Sequence, residues 1–96
     1  MGLTDKLIRK TKLAQITQSI KKAIRDNNLV FIDDKTLKYT DKNGDTLDYT
    51  YQQWAIEFFN HAVSEQQILL VRANIGEKEI AELLSEQYKK QEAIKK

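Results

Sequence analysis

The chain has 96 residues, 41 % of them apolar and 31 % charged, with a net charge of +2 and no cysteine. A single domain of this size buries only about 60–65 % of the surface its unfolded chain exposes, so it folds alone but gains from oligomerisation. The missing cysteine excludes disulfides, thiolate metal sites and a catalytic thiol. No stretch approaches the roughly 18 apolar residues of a membrane span, and MGLTDKLIRKTKLAQ at the N-terminus lacks the apolar core of a signal peptide. A reducing cytoplasm is therefore the expected compartment.

The small net charge conceals an uneven layout. Residues 1–25 carry Lys6, Arg9, Lys10, Lys12, Lys21, Lys22 and Arg25 against Asp5, net +6. Residues 26–66 carry three basic and eight acidic side chains, net −5, and residues 67–96 carry six and five, net +1. Such asymmetry marks either a nucleic-acid or membrane contact, or a basic helix lying over an acidic body of the same chain or of a partner subunit.

The first element is expected to be a helix from Thr4 to Asp26, because Leu13, Ile16, Ile20, Ala23 and Ile24 recur at helical spacing. Leu3, Leu7 and Ile8 fall off that stripe, so the first ten residues are expected to fray or to contact something else. Asn27-Asn28 suits a helix end, since asparagine tolerates the left-handed cap conformation. Leu29-Val30-Phe31-Ile32 reads as a strand, Asp33-Asp34 as a turn, and Thr36–Thr40 as a second strand.

The stretch LKYTDKNGDTLDYT, residues 37–50, admits two readings. Asp41, Asn43 and Asp45 occupy the first three ligand positions of an EF-hand loop. Thr46 then stands where that loop needs glycine, and Gln52 where it needs the bidentate glutamate. The flanks alternate with a strand period. A two-residue loop at Asn43-Gly44 would pair Tyr39 with Asp48 and put apolar residues on both faces. A three-residue loop pairs Tyr39 with Leu47 and Leu37 with Tyr49, which leaves one apolar face. The spacing thus predicts a hairpin with a G1 bulge at Gly44 and no metal site.

Thr50 and Gln53 match a capping box, and a helix is expected from Tyr51 towards Ala62. Trp54, Ala55, Phe58, Phe59, Ala62 and Val63 are assigned to its buried side. Ser64-Glu65-Gln66-Gln67 is a second capping-box match, and Ile68–Val71 reads as helix in preference to a buried strand. Asn74-Ile75-Gly76 is a stop signal. The last helix is expected over Glu77 to Ile94. Glu77 and Glu79 in its first turn, and Lys89, Lys90, Lys95 and Lys96 at its end, complement the helix dipole. Ile80, Leu83, Leu84, Gln87, Gln91 and Ile94 share a face whose second half suits a partly wet interface. Gly76–Leu84 resembles the opening helix of a helix-turn-helix unit, but Ser85–Lys90 continues helically where a turn and a recognition helix would follow.

Chemistry is sparse. His61, the one histidine, has Glu57 four residues before it and Ser64 three after, but no oxyanion motif accompanies them, and an ordinary surface histidine is expected. Asp33, Asp34, Asp41, Asp45 and Asp48 sit in turns and on a polar strand face, where solvated acids are normal. Trp54, Phe58 and Phe59 gather with Tyr49 and Tyr51 near the hairpin exit, mostly as core.

The expected fold is α+β: an N-terminal helix, a small antiparallel meander or hairpin, and two or three C-terminal helices in one small globular domain over residues 1–96. The expected function is a non-catalytic cytoplasmic interaction or regulatory protein that forms homo-oligomers, without cofactor, metal or membrane. Tyr51, Trp54, Tyr88, Gln91 and Ile94 are its partner-interface candidates. The alternative is a nucleic-acid-binding protein that uses Lys6, Arg9, Lys10, Lys12, Lys21, Lys22 and Arg25 of the first helix.

Overall fold

The computed structural model of the protein describes residues 3–95. Lys96 and the side chain of Lys95, two of the cations expected at the end of the last helix, lie outside the described residues. The architecture is α+β: α1 (Leu3–Arg25), a three-stranded sheet of β1 (Leu29–Phe31), β2 (Thr36–Thr40) and β3 (Thr46–Thr50), then α2 (Tyr51–His61), α3 (Ser64–Arg72) and α4 (Glu77–Lys95).

α1 buries Ile16 and Ile20, and Ile8, Leu13, Ala23 and Ile24 pack half-buried against the core. Ile8 does so although it lies off the main stripe, while Leu7 points to solvent. α1 and α3 end alike. Asn27 and Asn74 take left-handed conformations with φ of 62° and 58°. At the first end Asn27 N–H donates to Ile24 O at 3.1 Å and Asn28 N–H to Ala23 O at 2.8 Å. At the second, Asn74 N–H donates to Val71 O at 3.0 Å and Ile75 N–H to Leu70 O at 2.9 Å. Both are Schellman motifs, which satisfy the carbonyls a helix end leaves over. Asn27→Ala or Asn74→Ala is expected to lower the unfolding free energy by about 1 kcal/mol, and glycine at either position to preserve it. Urea melts of the four variants test this.

The sheet order is β1-β2-β3, antiparallel throughout. Leu37 pairs with Tyr49 and Tyr39 with Leu47, the register of a three-residue hairpin loop. Gly44 has φ 86°. Its N–H donates to Asp41 O at 3.1 Å, and Asp41 N–H donates to Asp45 O at 3.0 Å, which closes a type I turn with a G1 bulge. The apolar face carries Leu29, Phe31, Leu37, Tyr39, Leu47 and Tyr49. It is covered unevenly: Leu37 on the central strand is fully buried, whereas Leu47 on β3 is 56 % exposed. Ile32 falls just past the end of β1 and is half exposed.

α2 starts with the expected capping box, Gln53 N–H donating to Thr50 Oγ1 and Thr50 N–H to Gln53 Oε1, both at 3.0 Å. Its first residue, Tyr51, reaches back to the β1–β2 turn and donates its hydroxyl to Asp33 O at 2.6 Å. The second capping box does not form. α3 begins after Val63, with no side-chain cap. Gln67 turns the other way and donates Nε2 to Phe59 O at 3.0 Å and Asn60 O at 3.4 Å, so it caps the end of α2. The spare carbonyls of a helix that has just ended outcompete the start of the next one. Val63 sits in this break and is 65 % exposed, not buried. Residues 68–72 are helical, and α3 packs on α1.

α4 runs unbroken, so the resemblance of Gly76–Leu84 to a helix-turn-helix opening has no recognition helix to complete it. Gly76 N–H donates to Glu79 Oε2 at 2.7 Å and caps its start. Ile80, Leu84 and Gln87 are buried, but the face does not stay covered to its end, since Ile94 is 84 % exposed. α4 lies against α2 and α1, and no helix of the described residues is long and apolar enough to cross a membrane.

Candidate functional site

Four aromatic rings frame an open cleft of about 550 Å³ between the β2–β3 hairpin and α2. Tyr39 and Tyr49 reach it from one face of adjacent strands, because alternate residues of a strand point the same way. Trp54 and Phe58, one helical turn apart, reach it from α2. The Trp54 ring lies edge-on to Tyr39 at 5.7 Å and stacks on Phe58 at 5.4 Å. Trp54 is largely buried, whereas Tyr39, Tyr49 and Phe58 are half-buried. The hairpin tip supplies Asp41, Lys42 and Asn43 to the rim, and α2 supplies Glu57, His61 and Ala62.

The polar rim is structured by local bonds. His61 Nε2 and Glu57 Oε2 share a hydrogen bond at 3.1 Å, with side chains 80 % and 51 % exposed. Ser64 opens the next helix, so the spacing 57, 61, 64 crosses a helix break and does not lie along one helix. Asp41 Oδ1 accepts from Asn43 N–H at 2.9 Å and Asp45 N–H at 3.0 Å, which makes it the organiser of the turn. Among the described residues no three acidic, histidine or cysteine side chains gather where a metal ion would need them.

Asp33 plays the equivalent part between β1 and β2. Its Oδ1 accepts from Lys35 N–H, Thr36 N–H and Thr36 Oγ1–H, each at 2.8 Å. The Lys35 N–H bond, with those from Thr36, holds its carboxyl below the usual range. Glu79 is likewise held low, first by Gly76 N–H and then by its own backbone N–H. Both folded-state values lie under the unfolded ones, so each group contributes stability that is present above the unfolded pKa and lost as the pH falls through the folded one. Unfolding free energy is thus expected to decline below about pH 4, and Glu79→Gln to flatten that decline while lowering stability at neutral pH. Urea melts across the acid range check it.

The seven cations of the first helix divide into two groups. Arg9 Nη1 donates to Ala73 O and Asn74 O, both at 2.8 Å, and so clamps the C-terminus of α3. Lys12 Nζ donates to Gln15 Oε1 at 3.1 Å and to Gln66 Oε1 across the α1–α3 contact. Lys6, Lys10, Lys21, Lys22 and Arg25 are exposed and form no ion pair with the described residues. The partner-interface candidates are also dispersed. Tyr51 and Tyr88 both pack edge-on against Phe31, with ring centroids 5.6 Å away, and burial raises the pKa of each phenol. Trp54 forms a wall of the cleft, Gln91 is half-buried, and Ile94 projects from the end of α4.

Tyr39, Phe58 and Glu57 belong to the cleft but not to either set of candidates. A signal for them existed in the sequence: Tyr39 and Tyr49 on one predicted strand face, and Phe58 at i+4 from Trp54. The chain matches no protein-family model, no curated protein and no solved structure.

Proposed function

We propose that this is a small non-catalytic interaction protein that self-associates and works by binding other protein surfaces in a regulatory role. The observation that supports this is the open aromatic cleft, which takes Tyr39, Tyr49, Trp54 and Phe58 out of eight aromatic residues in the chain. Rigid aromatic rings give large contact area at low entropic cost, which is why Trp and Tyr anchor interfaces. Outside the cleft, Val63, Ile68 and Val71 around α3 are each at least 60 % exposed, further apolar surface suited to a partner. Binding fits the site better than catalysis, because His61 and Glu57 stand in open solvent and His61 hydrogen-bonds no nucleophile among the described residues. A cysteine-free chain suits the reducing cytoplasm.

Sedimentation equilibrium over a concentration series tests the reading. The average mass should rise with concentration. A monomer mass at every concentration would overturn it.

A nucleic-acid role is the second reading, favoured by the five outward cations of α1. Arg9 and Lys12 are engaged within the fold, so at most five phosphates are neutralised by this helix. The slope of log K against log salt should then be no steeper than about −4.5 on duplex DNA. Anisotropy titration with a labelled duplex at low salt measures it, and no binding there removes this reading.

A further inference from the structure

We infer that the aromatic cleft receives the basic outer face of α1 from a second copy of the chain. The proposal rests on the self-association reading and names its interface. Tyr39, Tyr49, Trp54 and Phe58 line the cleft, and Glu57 and Asp41 stand at its mouth with one lysine, Lys42, and the histidine His61. Aromatic faces carry negative potential and attract ammonium and guanidinium groups. Nearby carboxylates add to that attraction, so the occupant this cleft suits is a cationic side chain.

The chain presents such side chains on its other flank. Lys6 and Lys10 are spaced i,i+4 on α1, as are Lys21 and Arg25, and all four are exposed without an ion pair among the described residues. Like charges at that spacing repel and destabilise a helix by about 0.2–0.5 kcal/mol per pair, a cost an acidic partner surface relieves. The two surfaces cannot meet within one chain. α1 packs on β1, α3 and α4, whereas the cleft opens between the β2–β3 hairpin and α2, and β1 and β3 are opposite edges of the sheet. Arg9 pins α1 to the end of α3, and Thr40 N–H donates to Asn28 O at 2.7 Å just past its other end. Within one chain α1 meets residues 26–66 at β1 and at Gln66 of α3, which leaves its outward lysines and Arg25 to reach Asp41 and Glu57 of the cleft in another copy. The contact joins two different surfaces, the requirement for head-to-tail addition.

Sedimentation velocity on the full chain tests this with wild type, Glu57→Lys, the double variant Lys21→Glu/Arg25→Glu, and an equimolar mixture of the two variants. All substituted residues are exposed, and near-ultraviolet circular dichroism of Trp54 confirms the fold. Wild type should associate at low salt and dissociate towards 1 M salt, where the Debye length is about 3 Å. Each variant alone should lose at least about tenfold in affinity, because like charges brought together at an interface cost more than one decade of Kd. The mixture should regain association, since each variant supplies the surface the other lacks. Association that ignores salt and both variants would overturn the inference and leave self-association standing. A wild-type monomer under all conditions would remove both.

Discussion

Leu37→Ala is expected to cost about 2–5 kcal/mol of unfolding free energy, and Leu47→Ala at most about 1 kcal/mol. The two leucines share a residue type, a sheet and an apolar face, and they differ in what covers them. Leu37 lies on the central strand with no exposed surface, so truncation removes its burial and leaves a cavity that close-packed neighbours fill only in part. Leu47 lies on the edge strand and is 56 % exposed, so much of its side chain already contacts water. A small domain holds only about 5–15 kcal/mol in total, and the Leu37 variant should therefore melt far below the Leu47 variant. Paired urea and thermal melts measure the difference. Equal losses would show that β3 is covered as well as β2, which in solution would require a partner on that edge.

Arg9→Ala is expected to cost about 1.5–3 kcal/mol, the range for hydrogen bonds from a charged donor. Arg9 makes two such bonds to the carbonyls that end α3, where a positive charge also complements the helix dipole. Arg9→Lys should recover only part of the loss, because an ammonium lacks the flat, fixed fork of a guanidinium. Hydrogen exchange read beside the melts locates the effect: protection should fall over α1 and α3, with α2 and α4 less affected. By contrast, Lys6, Lys10, Lys21, Lys22 and Arg25 should each tolerate alanine with changes within about 0.5 kcal/mol. This contrast separates a cation that holds the fold from cations free to meet a partner.

Much of the backbone was legible because local rules act over a few residues. Gly44 and the alternation of Leu37, Tyr39, Leu47 and Tyr49 defined the hairpin register, since a one-residue slip would turn every side chain to the other face. Thr50 with Gln53 marked the start of α2, and Asn27 and Asn74 marked the ends of α1 and α3. The same kind of local rule failed at Ser64–Gln67, where Gln67 had a nearer demand from the carbonyls of Phe59 and Asn60. It also failed at Val63, assigned to the buried side of α2 but 65 % exposed in the break before α3.

By itself, then, the sequence determined the order and kind of the elements, the register of the hairpin, and the opposed charges of the first quarter and the middle. Period, capping and charge are properties of a residue and its near neighbours. Tertiary structure alone decided which of two matching leucines is covered, which two of seven cations clamp α3, and that four aromatic residues leave a cleft open between hairpin and helix. Each of these depends on side chains brought together from distant parts of the chain. Which groups meet there follows from how α1, α2 and α4 pack around the sheet, and no spacing along the chain encodes that distance.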